Sequence, residues 1–301
     1  MSIEICVLMS TYNGEKFLAE QIDSILAQRD VKVHLLVRDD GSSDKTCEIL
    51  EEYCEQEKLS WYSGKNLGVA KSFWDLLKKA PESEYYAFSD QDDIWEINKL
   101  ICAVRQIKKS NMERPVLYFS NKTLVDTECK PLYRKDERVR DVTLNYSLLK
   151  GFASGCTMVF NKSLYYELIR YEPQVMTMHD SWILKVAGAV GTVMYDKTPH
   201  ILYRQHGNNT VGNQTRIKHF KRHIRNITYY RYDNMRSIMA RQLLDYYGHQ
   251  MKPRDKKYCF LLAHVRESLY FRCLLVFSGY LKTQQPIDII GFKIFILLGW
   301  L

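Results

Sequence analysis

Over its first 120 residues the chain alternates short apolar runs with helix-length amphipathic segments, and this rhythm restricts the fold more than any other feature. Ile3–Met9, Lys32–Val37, Leu59–Tyr62, Tyr85–Ser89 and Val116–Ser120 are strand-length and apolar. Between them, Glu15–Gln28 places Phe17, Leu18, Ile22, Ile25 and Leu26 at helical spacing. Asp44 is a good N-cap for a helix to about Glu57, Val69–Lys79 reads as a helix with Pro81 just past its end, and Glu96–Lys109 as another. This β–α–β–α order predicts an α/β domain with a largely parallel sheet covered on both faces.

After Lys122 the rhythm breaks. Asp126–Asn145 is polar and loop-rich; Cys156–Phe160 and Thr192–Tyr195 read as strands, Lys162–Arg170 and Ser181–Ala189 as helices. From about Thr215 every segment reads helical, which divides the chain into an α/β domain over 1–214 and a helical region over 215–301. With 301 residues, 46% hydrophobic and 26% charged, the chain has enough core to fold without a disulfide or structural metal. The eight cysteines include no CxxC pair, and no histidine cluster has zinc-ligand spacing. They read as buried, reduced thiols of a cytosolic protein. The N-terminal apolar run has neither a basic flank nor a cleavage site, so no signal peptide is expected.

The net charge of +8 is uneven. Between Thr215 and Tyr258 there are twelve Lys or Arg against three Asp, whereas the first 214 residues carry a small acidic excess. Arg216, Lys218, Lys221, Arg222 and Arg225 interleave with Ile217, Phe220, Ile224, Ile227 and Tyr230, the spacing of an amphipathic helix with a cationic face. Such a face suits an anionic membrane surface better than nucleic acid, because no nucleic-acid module accompanies it; a plain solvated face is the third reading. The last residues, Ile287–Leu301, are strongly apolar but shorter than a spanning helix and interrupted by Asp288 and Lys293. Interfacial membrane helix, buried core helix and dimer interface all stay open for them.

Chemistry concentrates where the predicted strands end. Ser10–Gly14, Arg38–Asp44, Gly64–Gly68 and Asp90–Asp93 are polar clusters at the carboxyl ends of successive strands, where open α/β sheets bind ligands. The Asp90-Gln91-Asp92 triplet offers two carboxylates that can share a hard cation, and such a cation can bridge a diphosphate.

Taken together, these motifs resemble those of family 2 glycosyltransferases with the GT-A fold. The matching residues are Met9–Asn13, Arg38–Thr46, Asn66–Ala70, Ser89–Trp95 and His179–Trp182, in family order over about residues 3 to 210. Ser-Asp-Gln-Asp-Asp-Ile-Trp, with Tyr203–Asn209, is similar to the rhamnosyltransferase-like branch of bacterial polysaccharide synthesis. The resemblance implies that Thr11, Tyr12, one of Asp39 and Asp40, Asn66, Lys71 and Asp90 hold the donor nucleotide of a dTDP- or UDP-sugar. It implies Mn²⁺ or Mg²⁺ on Asp92, with His206 as a further ligand, and Asp180 as general base. The Gly151–Cys156 loop, including Gly155 and Cys156, would lie near the acceptor and donor sugar together with His179 and Trp182. In many relatives a Glu precedes the base; here His179 replaces it, leaving its role open.

The expected protein is thus an inverting, metal-dependent transferase at the cytosolic face of the membrane. It would move a sugar, L-rhamnose from dTDP-L-rhamnose on the branch resemblance, onto a lipid-linked or growing saccharide. A UDP-hexose-dependent transferase of the same family and a non-catalytic nucleotide-sugar-binding scaffold are the alternatives. A nucleotidyltransferase fits poorly, because Ser10–Lys16 has one Gly and one Lys where a triphosphate loop is needed. A homodimer is compatible with the sequence.

Overall fold

The structure is a computed structural model that describes residues 3–132, 139, 141–206, 234–281 and 286–300. The basic segment 215–230, the boundary drawn at 214 and the loop residues 207–209 lie outside the described residues.

The amino-terminal half winds as expected. Strands β1 (Glu4–Thr11), β2 (Lys32–Asp39), β3 (Ser60–Ser63) and β4 (Tyr85–Ser89) alternate with helices α1 (Leu18–Leu26), α2 (Thr46–Glu55) and α3 (Val69–Lys79). After them come β5 (Ile94–Trp95), α4 (Lys99–Ile107), β6 (Val116–Val125), α5 (Leu144–Leu149), β7 (Met158–Asn161), α6 (Lys162–Arg170), α7 (His179–Val190) and β8 (Thr192–Arg204). Helices α8 (Met235–Tyr247), α9 (Pro253–Ala263), α10 (Leu269–Phe277) and α11 (Pro286–Leu297) complete the chain.

The strands form one eight-stranded sheet in the order β3-β2-β1-β4-β7-β6-β8-β5. Strands β1–β4 are mutually parallel where they pair, and β6 is parallel to β8, but β7 runs antiparallel to both β4 and β6. Strand β5 is likewise antiparallel to β8. The sheet is therefore mixed, with the reversal at its centre.

Strand alternation sorts the core into two layers. Ile5, Val7 and Met9 of β1 pack with Leu18, Ile22 and Ile25 of α1 and with α4 on one face. Cys6 and Leu8 point the other way, into a core built from α3, α5, α6 and α7. Met239, Leu243 and Tyr247 of α8, with Tyr258 and Leu262 of α9, join that second core. Hydrogen bonds tie these helices to the sheet body: Tyr247 donates to the Glu167 carbonyl at 2.9 Å and Tyr258 to the Asn145 carbonyl at 3.2 Å. Helices α10 and α11 instead turn apolar side chains outward, with Phe277 81% and Ile290 60% exposed, while Ile296 is buried. No described helix is long and apolar enough to cross a membrane. All eight cysteines are free; Cys6, Cys156 and Cys259 are buried and the other five are partly exposed.

Some boundaries differ from expectation for local reasons. α1 begins at Leu18 because Gly14–Phe17 is used as a turn, the Gly14 carbonyl accepting from the Phe17 and Leu18 N–H groups at 3.1 Å. α4 begins at Lys99 because the Glu96 N–H pairs with the His200 carbonyl at 3.1 Å. Asp44 does not take the cap position of α2, which falls to Lys45. Its carboxylate instead accepts from Thr46 N–H at 3.0 Å and Glu15 N–H at 3.1 Å, joining the β1 and β2 loops.

Candidate active site

The polar strand-end loops do meet on one rim. They line a pocket of about 1690 Å³, whose walls include Thr11, Tyr12, Asp40, Asp90, Asp92, Gly155, His179, Asp180 and His206. The loop after β1 is laced to the loop after β2: Asn13 N–H donates to Ser42 Oγ at 2.8 Å, and Ser43 N–H returns to Asn13 Oδ1 at 2.9 Å. Gly41, at φ +85°, lets that second loop turn back; a Cβ there would meet the Gly64 carbonyl at 3.2 Å.

Asp39 and Asp40 have separate jobs. The Asp39 side chain is fully buried and accepts from Gly41 N–H, Ser42 N–H and Ser63 Oγ, so it shapes the turn and does not line the pocket. Asp40 reaches the pocket wall while gripping the start of α3: it accepts from Leu67 N–H at 2.8 Å and Gly68 N–H at 2.9 Å and pairs with buried Arg38. Arg38 also holds Asp75 at 3.1 Å, and its own charge is reinforced by these two carboxylates despite burial. Asn66 and Lys71 are exposed and lie outside the pocket wall; the Asn66 side chain accepts from Gly68 N–H at 3.2 Å.

At the end of β4 the acidic triplet divides in the same way. Gln91 clamps the β1 loop, accepting from Thr11 Oγ1 at 2.6 Å and Tyr12 N–H at 2.7 Å. Its flanking carboxylates face the pocket. Asp92 Oδ2 lies 2.7 Å from His206 Nε2, and the His206 ring stacks on Phe17 at 5.3 Å. Desolvation at the pocket floor, with the charges of Asp92 and Asp180 added, pushes the Asp90 carboxyl up to about 7. Asp92 and His206 thus form a contacting oxygen–nitrogen pair of the kind a divalent cation takes, whereas Asp90, close enough for its carboxyl to feel the Asp92 charge, groups its ligand atoms with Asp93 and Cys156.

Behind the rim lies a second acidic group. Asp90, Asp93 and Cys156 bring their ligand-type atoms within 4.8 Å of one another. Asp93 is buried, accepts from Arg204 N–H at 3.1 Å through Oδ1, and has no partner on Oδ2. Burial there raises both the Asp93 carboxyl and the Cys156 thiol. The buried Lys99 ammonium sits 3.2 Å over the Trp95 ring, and burial lowers it to about 7.

Asp180 lines the same pocket, near enough to Asp90 for its charge to raise that carboxyl. It lies in the first turn of α7, one residue inside the helix start, and its Oδ2 accepts the Gly155 N–H at 3.2 Å. The preceding His179 is buried, stacked on Phe73 at 3.9 Å and edge-on to Phe88 at 5.1 Å. Burial lowers its imidazole to about 4, so it is neutral at ordinary pH. Gly155 is required by this packing, since a Cβ would stand 2.5 Å from His179 Nε2. Besides Asp39, Asn66 and Lys71, two further expected site residues are not on the wall: Trp182 is buried in one core cluster and Cys156 in the other.

Lys122 of β6 is a pocket residue that the sequence reading missed. Its ammonium donates to Ser154 Oγ at 2.6 Å and lies 3.9 Å over the Tyr203 ring. The motif pattern gave no signal for it, because β6 ran five residues beyond its apolar stretch.

Comparison with known proteins places the chain in a family. Residues 6–168 match the family model described as glycosyl transferase family 2, and the chain belongs to that family. It is 31% identical, over 68% of its length and 73% of the other chain, to the dTDP-rhamnosyl transferase RfbG of Shigella flexneri. An uncharacterized glycosyltransferase of Rickettsia typhi is 26% identical over 69% of this chain and 66% of its own. Among solved structures, S. aureus TarS 1-349 in complex with UDP-GlcNAc superposes with a TM-score of 0.57, 14% identity, and coverage of 99% and 89%. The mannosyltransferase PcManGT from Pyrobaculum calidifontis, in complex with GDP-Man and Mn²⁺, gives a TM-score of 0.51, 17% identity, and coverage of 98% and 85%. These likenesses establish the α/β fold with its helical carboxyl-terminal region, and the family establishes the chain as a glycosyltransferase.

Proposed function

We propose that the protein is an inverting transferase that moves L-rhamnose from dTDP-L-rhamnose to a lipid-linked or growing saccharide, with Asp180 as general base. The observation that carries this reading is that Asp180 lines the same pocket as Asp90, Asp92 and His206, near enough for its charge to raise the Asp90 carboxyl, with its own carboxylate held by the Gly155 N–H. The relative named as a dTDP-rhamnosyl transferase supports the donor. Thr11, Tyr12 and Asp40 would hold the thymine and ribose, and Asp90 the ribose side of the diphosphate. Asp39, Asn66 and Lys71 shape or border that cradle from outside the pocket wall.

Asp92 and His206, with Asp90 beside them, would hold a divalent cation, which when bound supplies positive charge to the departing diphosphate. The chain itself contributes the Lys122 ammonium to the same half of the pocket. Asp180 takes the proton of the acceptor hydroxyl as that oxygen bonds to the anomeric carbon. The carbon–oxygen bond to the nucleotide diphosphate breaks on the opposite face, and its electron pair leaves with the nucleotide. The Gly155 N–H keeps the carboxylate fixed in the ground state, so no reorganisation is needed at the moment of transfer.

The exposed apolar faces of α10 and α11, with the basic surplus between Thr215 and Tyr258, support a peripheral position on an anionic membrane.

A donor panel tests the reaction: dTDP-, UDP- and GDP-sugars with Mn²⁺ and membrane extract, following nucleotide diphosphate release. Turnover of dTDP-L-rhamnose is expected, falling at least 100-fold in Asp180→Asn while that variant keeps its thermal stabilisation by dTDP and Mn²⁺. Turnover of a UDP-hexose alone would move the assignment to that donor. No turnover and no stabilisation by any nucleotide would leave the scaffold reading.

A further inference from the structure

The pocket is larger than its donor. Its volume of about 1690 Å³ exceeds the roughly 300–1,000 Å³ of ordinary small-molecule sites. Strand order shows which part is surplus. The nucleotide loops follow β1 and β2, the acidic triplet follows β4, and β7, β6 and β8 continue the rim beyond it. On that continuation lie three aromatic residues that nothing above has used: Phe119 of β6, Phe152 of the small-residue loop and Tyr195 of β8.

Phe119 and Tyr195 are cross-strand partners in the parallel β6–β8 ladder, so they share a face, and their rings stack at 5.0 Å. Phe152 leans on Phe119 at 5.7 Å and is backed by Tyr146 at 5.0 Å. Phe119 is buried as the base of the group, whereas Phe152 and Tyr195 are only half-buried and border the cavity. Ser154, two residues along from Phe152, lines the same pocket and brings a hydroxyl to its border. An apolar platform with a hydrogen-bonding border matches a pyranose ring, which has one C–H-rich face and a periphery of hydroxyls. The platform is also tethered to the base. Phe152 precedes Gly155 by three residues, a reach of at most about 10 Å even fully extended, and Gly155 holds Asp180.

We propose that Phe119, Phe152 and Tyr195 form the acceptor subsite and that it recognises a pyranose ring of the acceptor face-on, beside Asp180. This rests on the transferase reading and adds to it that the acceptor is selected by a sugar ring rather than by its lipid or phosphate.

Saturation-transfer NMR tests it on the full-length protein, with octyl glycopyranosides (gluco, galacto, manno, rhamno and N-acetylglucosamine) as probes and octyl phosphate as the sugar-free control. Saturation of the C–H protons on one ring face is expected for at least one glycoside. It should fall at least fivefold in Tyr195→Ala and Phe152→Leu and be retained in Tyr195→Phe. In transfer assays with membrane extract the acceptor concentration for half-maximal rate should rise about tenfold in both weakened variants, with the donor KM unchanged. Thermal stabilisation by dTDP or UDP with Mn²⁺, measured on every variant, confirms folding and reports the donor site separately. Equal ring saturation in wild type and both weakened variants, signal from octyl phosphate equal to that of the best glycoside, or no ring saturation with any glycoside would each overturn the subsite. Loss of nucleotide stabilisation in the wild type would overturn the transferase reading instead.

Discussion

His179 shows how a polar residue can be selected for what it withholds. Between Phe73 and Phe88 the ring has no hydrogen-bond partner on either nitrogen, and burial holds its imidazole at about 4. At pH 7 the folded state is neutral at this residue and the unfolded state mostly so, so it adds little pH dependence there. Below its unfolded value near 6.5 the unfolded chain binds a proton that the folded one refuses, so stability falls with pH until about 4, where both states are charged. From pH 6.5 to 5 the loss from this residue is about 2 kcal/mol. Urea titrations at pH 7 and 5 should show it, and His179→Phe should remove that part of the slope. Gly155→Ala is expected to lower transfer at least tenfold, because its Cβ would press on His179 Nε2 and displace the N–H that aims Asp180. A double-mutant cycle with His179→Ala should then recover part of the loss, showing that the two positions are coupled. The sequence offered Asp180 as a base by resemblance, but it did not separate the roles of Asp39 and Asp40. Two adjacent carboxylates look alike in sequence; which one turns to the pocket is decided by where Ser42, Ser63 and Arg38 stand.

Among the elements, α3 is the best determined, because its length and start were legible at Val69–Lys79 and its anchor was not. The helix is fastened to the β2 loop by Arg38, which bridges Asp40 and Asp75 with 3% of its side chain exposed. Arg38→Met would leave Asp40 charged and buried, with only its backbone donors, and should cost about 3–5 kcal/mol in urea unfolding. Arg38→Met with Asp40→Asn and Asp75→Asn should recover most of that stability, though not nucleotide binding. Strands were readable where apolar residues run unbroken, as in Tyr85–Ser89. β8 was foreseen only to Tyr195, because Asp196–Thr198 and Pro199 interrupt its apolar pattern while the backbone continues to Arg204. The antiparallel direction of β7 has no signature in its four residues; it follows from the long connection through Asp126–Asn145, whose polar composition says nothing about where the chain returns.

For the molecule as a whole, the carboxyl-terminal helices differ in how they meet the core. α8 and α9 are built into the core, and α10 and α11 present apolar side chains to solvent. Leu269, Tyr270, Leu274 and Phe277 follow one another along α10, and all are among the exposed large hydrophobics. Vesicles containing phosphatidylglycerol should co-sediment the protein, and Leu274→Ser with Phe277→Ser should weaken that binding at least tenfold. Raising salt should weaken the wild type too, through the basic surplus. Binding to neutral and anionic vesicles alike, untouched by the double substitution, would place the contact elsewhere.

The reversal at the centre of the sheet has a mechanical consequence. The carboxylates proposed to face the donor follow β4, while the loop that holds Asp180, the proposed base, leads into β7, and these two strands touch through only three registered pairs, Tyr85↔Asn161, Tyr86↔Phe160 and Ala87↔Val159. That short ladder is the gauge of the catalytic gap. A two-residue slip would preserve every inward and outward side chain yet shift one shore of the pocket by about 6–7 Å. The enzyme would then stay compact and stable while its base stood out of reach of its donor, so fidelity of strand registration, beyond folding itself, is what this architecture must guarantee.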